Sequence, residues 1–237
     1  MRGFEAIVLA GGLGTRISSV LPDLPKVMAD VGGRPFLEFL LEMAARNGVT
    51  RAILATGHLH APVERHFGNR WAGIEIAYSF ERQPLGTGGA VRLAMKMAAQ
   101  DDLFVLNGDT FFDADLRALD QAHKSAAADV TIALKRMKNF SRYGAVDFRD
   151  GFITGFHEKR HTEEGCINGG IYLVDRARLE RFDLPEKFSL EIDFLERRAS
   201  ELRIAGYVSD GYFIDIGVPE DYARAQRELP LRVSSSL

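Results

Sequence analysis

Short, uninterrupted apolar runs alternate with stretches of helical periodicity along this chain, and that alternation limits what it can fold into. The runs fall at residues 4–9, 51–56, 74–79, 103–106 and 130–134. Each has the length of a buried strand. Between them, "FLEFLLEMAARNG" carries an apolar stripe at Phe36, Leu37, Leu40, Leu41 and Ala44, with Gly48 as its stop, and "GGAVRLAMKMAAQ" repeats the pattern after Gly88. Strands alternating with helices predict an α/β fold, a Rossmann-like three-layer sandwich with a mainly parallel central sheet and right-handed crossovers. Ligands of such sheets bind beyond the carboxyl ends of the strands.

From about residue 136 the rhythm changes to shorter strand-like pieces, "YGAVDF", "GFITGF" and "INGGIYLV", followed by helical patterns around 176–181 and 190–198. This half is expected to be a small strand-rich extension that faces substrate and closes the fold. With no Pro/Ser linker and no internal repeat, residues 1–237 are expected to form one domain. The tail "ELPLRVSSSL" is expected to fray.

Acidic and basic residues nearly cancel, to a formal net charge of -3, which argues against nucleic acid as a partner. Any anionic ligand must meet a local cluster of cations. The single cysteine, Cys166, excludes an internal disulfide framework and cysteine-rich zinc sites. The start "MRGFEAIVLAGG" lacks a secretory apolar run, and no window reaches the roughly 20 apolar residues that cross a bilayer. A cytoplasmic protein with no membrane partner is expected, and a homodimer stays open.

Four local features carry chemistry. In "AIVLAGGLGTRISSVLPDLPKVM", Gly11, Gly12 and Gly14 follow a strand closely, so backbone N–H groups can approach an anion or a base edge without a side chain between them. A tight strand-to-helix turn would use the same glycines. Neither the dinucleotide fingerprint nor the P-loop fits, whereas Arg16 and Lys26 on one long loop suggest a polyphosphate. A second cluster, "QPLGTGGAV" (residues 83–91), opens a helix whose amides and dipole could face a ligand. Thr87 as a plain helix cap is the alternative. In "FVLNGDTFF", Asp109 sits just past a buried strand, where a carboxylate suits Mg²⁺. In "GYFIDIGVPEDY", Asp215 lies between Ile214 and Ile216 and must be paired, metal-bound or catalytic.

Taken in this order, the features resemble the sugar-1-phosphate nucleotidyltransferases. The signature L-A-G-G-x-G-T-R followed by P-K stands at residues 9–16 and 25–26, and "PLGTGG", "NGD", "FHEKR", "NGGIY" and "DIGVPEDY" extend the likeness over most of the chain. The resemblance implies that Leu9, Gly11, Gly12, Gly14, Thr15, Gln83, Gly86, Thr87, Gly88 and Asn107 bind nucleotide. It implies Arg16 and Lys26 as catalytic cations, and Asp109 with Asp215 as ligands of Mg²⁺. Gly144, Glu158, Lys159, Asn168 and Gly169 would hold the sugar phosphate, so that residues 1–135 would mainly bind nucleotide and 136–237 mainly sugar phosphate. The implied reaction is attack of a sugar-1-phosphate oxygen on the α-phosphorus of a nucleoside triphosphate, with pyrophosphate leaving.

A finer likeness, carried by "RPFLEFLLE" and "PLGTGGAVR", is to the heptose-1-phosphate guanylyltransferase branch. It implies GTP, heptose 1-phosphate and the supply of surface-polysaccharide precursors. Mannose or glucose 1-phosphate, with GTP or another base, are the alternatives within the class. From other classes, Asp113-Ala114-Asp115 is a D-x-D that a glycosyltransferase would use, though a cap for the following helix explains it equally well, and a non-catalytic nucleotide-binding regulator would keep the fold. His58, His60 and His66 lack an H-E-x-x-H arrangement, and Cys166 is expected to pack. With no hexapeptide repeats, a single activity is expected.

Overall fold

The structure, a computed structural model, describes residues 3–12 and 24–234. Fourteen strands are described: β1 (Phe4–Leu9), β2 (Asp30–Val31), β3 (Arg34–Pro35), β4 (Val49–Thr56), β5 (Arg70–Trp71), β6 (Ile74–Phe80), β7 (Asp102–Asn107), β8 (Thr110–Phe112), β9 (Val130–Phe140), β10 (Gly144–Arg149), β11 (Phe152–Lys159), β12 (Thr162–Asp175), β13 (Ile204–Ser209) and β14 (Phe213–Asp215). The α-helices are α1 (Phe36–Arg46), α2 (His60–Phe67), α3 (Gly86–Met95), α4 (Leu116–Ala126), α5 (Arg176–Glu180) and α6 (Pro219–Ser234), with a 3₁₀ turn at Lys26–Met28 and a π-helical segment at Leu190–Glu196.

Ten strands form one sheet in the order β10-β11-β13-β9-β12-β7-β1-β4-β6-β5. Strands β7, β1, β4 and β6 are parallel neighbours. The centres of β1, β4 and β7 are continuously apolar because both their faces are covered: Ala6 and Val8 of β1 enter one core with helix α1, and Ile7 between them enters the other with helix α3. The layered α/β fold is as expected, with one difference in the sheet. The strand-rich second half joins the same sheet, and does so mostly antiparallel: β12 runs against both β7 and β9, and β10 against β11, while β13 and β9 are parallel. Strands β9 to β12 follow one another through short turns, which suits antiparallel pairing without a crossover helix, whereas β13 follows α5 and the π-helical segment and runs parallel to β9.

Local signals account for most helix boundaries. Helix α1 ends at Arg46, and Gly48 then takes φ +92°, a conformation cheap only for glycine. Asp115 caps α4, its Oδ1 accepting the N–H groups of Arg117 and Ala118 at 2.9 and 3.0 Å. Residues 190–198, expected as an ordinary helix, begin instead with the π-helical segment. Of the tail expected to fray, residues 228–234 continue α6 with Pro230 inside it, and residues 235–237 lie outside the described residues. Buried Leu229 anchors this last stretch, and a side chain at Gly32 would meet the Pro230 ring at 2.7 Å. Among the described residues no helix is long and apolar enough to cross a membrane.

Candidate active site

Two cavities open at the carboxyl ends of the parallel strands and share Asn107 and Asp109 in their walls. The first, about 570 Å³, is lined by Leu9, Gly11, Gly12, Lys26, Gln83, Gly86, Thr87, Asn107 and Asp109 together with His58, Glu81 and Gly108. Leu9 and Asn107 face each other as the last pair of the β1–β7 ladder. Gly11 must be small: a Cβ there would lie 2.7 Å from Glu81 Oε1 and 3.2 Å from the Gly57 nitrogen. Gly14, Thr15 and Arg16 lie outside the described residues.

The second cavity, about 340 Å³, is lined by Gly144, Lys159, Asn168, Asp215, Asn107 and Asp109, and also by Tyr143, His157, Gly170, Tyr172, Glu191 and Glu196. Between the two cavities stands a charged cluster. Lys26 Nζ donates to Asp109 Oδ2 at 2.6 Å and lies 3.9 Å from Asp215 Oδ1. Asp215 also accepts the Gly217 N–H at 2.6 Å. Burial and the neighbouring Asp109 charge push the Asp215 carboxyl above the usual carboxylate range, against the opposing pull of Lys26, the Gly217 N–H and Arg142. Among the described residues Asn107 Oδ1 is buried with no hydrogen-bond partner, an acceptor in the shared wall that a ligand or water could satisfy.

Three expected positions differ. Gly88 is not in the wall of the first cavity: its N–H donates to the Phe188 carbonyl at 3.0 Å, and a Cβ would fall 2.1 Å from the Phe188 ring. The N–H of Gly89 points to the same carbonyl at 3.4 Å, so these two amides of the α3 start are taken by the protein. Gly169 packs against Phe112 and the Ala133 carbonyl, and Gly170, with φ +74°, lines the cavity in its place. Glu158 is exposed and outside the wall that its neighbours His157 and Lys159 form, although its charge reaches Glu196, whose carboxyl is raised by burial and by Glu191 and Glu158.

Thr87 is not a cap. Its hydroxyl donates to Glu191 Oε2 at 2.7 Å and accepts the Leu190 N–H at 2.9 Å. The D-x-D is occupied elsewhere: Asp115 caps α4, and Asp113 lies 3.9 Å from Arg46. His60 and His66 contact Glu64 and Glu38, and among the described residues no three His, Cys, Asp or Glu side chains group as a metal site.

The motif reading did not find Glu191 and Tyr172. Glu191 stands in "SLEIDFLE", whose acidic residues look like a solvated helix face. Tyr172 left a trace, since a phenol in the apolar run "GGIYLV" requires a partner once buried. Its O–H donates to Glu191 Oε1 at 3.3 Å and accepts from Asn168 Nδ2 at 2.9 Å.

The sequence profile described as Nucleotidyl transferase matches residues 5–231. The chain belongs to this family. Among family members, the D-glycero-α-D-manno-heptose 1-phosphate guanylyltransferase of Aneurinibacillus thermoaerophilus is 48% identical over 225 residues, covering 95% of this chain and 98% of that protein. The enzyme of the same description from Campylobacter jejuni is 43% identical over 92% of this chain and 96% of its own. Of solved structures, HddC from Yersinia pseudotuberculosis, also seen complexed with GMP-PN, superposes with a TM-score of 0.85 at 34% identity, covering 95% of this chain and 99% of that one.

Proposed function

We infer that the protein transfers GMP from GTP to D-glycero-α-D-manno-heptose 1-phosphate, forming GDP-heptose and pyrophosphate, a precursor for surface polysaccharide. One observation carries the reading: two cavities meet at a single cluster, Lys26, Asp109 and Asp215. The likeness to the two heptose 1-phosphate guanylyltransferases supports the choice of base and sugar.

In this reaction a phosphate oxygen of the sugar attacks the α-phosphorus of GTP. The bond from that phosphorus to the bridging oxygen breaks, and pyrophosphate leaves with the electron pair. A phosphate anion is already deprotonated, so no general base is required and the protein's work is alignment and charge neutralisation. The first cavity would take GTP at the ends of β1 and β7, and the second would take the sugar phosphate with Lys159 in its wall. Lys26, its side chain 11% exposed, supplies positive charge where the anions converge.

Asp109 and Asp215 fit a Mg²⁺ ion, since a pair of carboxylates that repel each other and otherwise share one lysine is the sparse all-oxygen set this ion takes alongside phosphate oxygens. Bound there, the ion would neutralise charge on the α-phosphate. With a nucleoside triphosphate as substrate, the protein would act in the cytoplasm.

The deciding experiment is pyrophosphate release with Mg²⁺ across the four common triphosphates, each paired with heptose, mannose and glucose 1-phosphates. Release with GTP and the heptose phosphate is expected. Release with another pair would keep the transfer and move the specificity, and silence from folded protein that still binds nucleotide would overturn the reading.

A further inference from the structure

The turn that opens α3 supplies the wall of one cavity and grips the wall of the other. Gly86, Gly88 and Gly89 receive the segment that leads into Leu190–Glu196: a Cβ at Gly86 would lie 2.5 Å from the Phe188 carbonyl oxygen, one at Gly88 2.1 Å from its ring, and one at Gly89 2.5 Å from the Glu186 carbonyl oxygen. Glycines at these positions therefore serve close backbone approach between two segments about 100 residues apart. Thr87, in their midst, lines the first cavity and donates to Glu191, which lines the second.

Glu191 is held but not saturated. Its Oε2 accepts from Thr87 at 2.7 Å and from Ser189 at 3.0 Å, while among the described residues its Oε1 accepts only the 3.3 Å contact from Tyr172. An ionised carboxylate has about four lone-pair sites, so acceptor capacity is left on the oxygen that is more loosely held. The π-helical geometry of this segment is itself rare and is frequent at functional sites.

We propose that Glu191 positions the sugar phosphate by accepting a sugar hydroxyl, and that its hydrogen bond to Thr87 sets the sugar cavity in register with the nucleotide cavity. The proposal rests on the transfer reaction inferred above. It assigns Thr87 a role opposite to its location: a nucleotide-cavity residue whose hydroxyl acts on the sugar.

Steady-state kinetics of Thr87→Val, Thr87→Ser, Glu191→Gln and the Thr87→Val/Glu191→Gln double variant, with calorimetric binding of the sugar 1-phosphate, test this. Thr87→Val and Glu191→Gln should each raise KM for the sugar phosphate about 10-fold, the worth of one good hydrogen bond, with KM for GTP changed less than about 3-fold. Thr87→Ser should restore the wild-type value, and the double variant should be no worse than the poorer single one. A rise confined to KM for GTP, independent additive losses, or an unchanged sugar KM in Glu191→Gln would overturn the proposal while leaving the reaction intact. Wild-type protein that neither turns over nor binds any sugar 1-phosphate would overturn both. Should Thr87→Val fail to fold, the isosteric Glu191→Gln carries the decision alone.

Discussion

Asp109 and Asp215 are brought side by side by backbone pairing: the Ile216 N–H donates to the Asp109 carbonyl at 3.0 Å, and Asp215 stands opposite Thr110 in the β8–β14 ladder. Two carboxylates fixed in this way repel each other whether or not a substrate is bound. Because Asp215 has a raised pKa, the native state holds that proton more tightly than the unfolded chain, and ionisation near neutral pH costs stability. Asp215→Asn is therefore expected to raise the Tm of the ligand-free protein at pH 7 by a few degrees, with turnover at least about 100-fold lower. Calorimetry and pyrophosphate release on one preparation check both; an unchanged or lower Tm would contradict the strain.

Lys26 separates the same two groups, and Asp109→Asn and Lys26→Ala should each reduce turnover by at least about 100-fold, or about 2.7 kcal/mol of transition-state stabilisation. Their stabilities should diverge. Lys26→Ala leaves two adjacent carboxylates without their cation and should lower Tm, whereas Asp109→Asn removes one of the repelling charges. Near-normal turnover in either folded variant would remove that residue from the chemistry.

Glu5 shows what a buried charge looks like when it serves only the fold. It is 3% exposed, accepts the N–H groups of Ala99 and Gln100 at 2.8 and 2.7 Å, and is paired with Arg51. Glu5→Gln should cost about 2 kcal/mol of stability, read by urea unfolding, with KM and kcat of the remaining folded enzyme unchanged.

Asp102 provides a pH test far from the reaction. His123, its Nε2 3.8 Å away, holds the Asp102 carboxyl below the usual carboxylate range, and the Lys124 charge acts in the same sense. A depressed carboxyl contributes stability above its unfolded pKa and loses it as pH falls through the folded value. Asp102 is 42% exposed, so water screens the pair and Asp102→Asn should cost under about 1 kcal/mol near pH 6. The deficit against wild type should shrink as denaturant melts are taken below pH 4; a constant deficit would assign the effect to packing instead.

The parallel half of the sheet was legible because burial on both faces writes continuous apolar runs, and helix α1 because its stripe and Gly48 agree. Glycine function was less legible. The glycines of "AGG" and those of "GTGG" look alike in the chain, yet Gly11 and Gly12 line a cavity while Gly88 and Gly89 seat Phe188. What separates them is a segment 100 residues away, and no local pattern encodes it. Glu191 was hidden for the same reason, its partners lying on α3 and β12. Asp109 and Asp215 could be singled out because a charge beside apolar strand residues is conspicuous wherever its partner lies.

Strand β12 has one further consequence. Its residues Ile171–Asp175 pair with β7, and residues 162–174 of the same strand pair with β9. During synthesis the outer edge of β7 stays unpaired until residue 175 has left the ribosome, so residues 1–135 cannot seal this edge by themselves. Recombination that exchanged everything after residue 135 would have to replace this seam as well. If the second cavity holds the sugar as proposed, new sugar preferences would accordingly be reached more readily by point changes there than by exchange of a module.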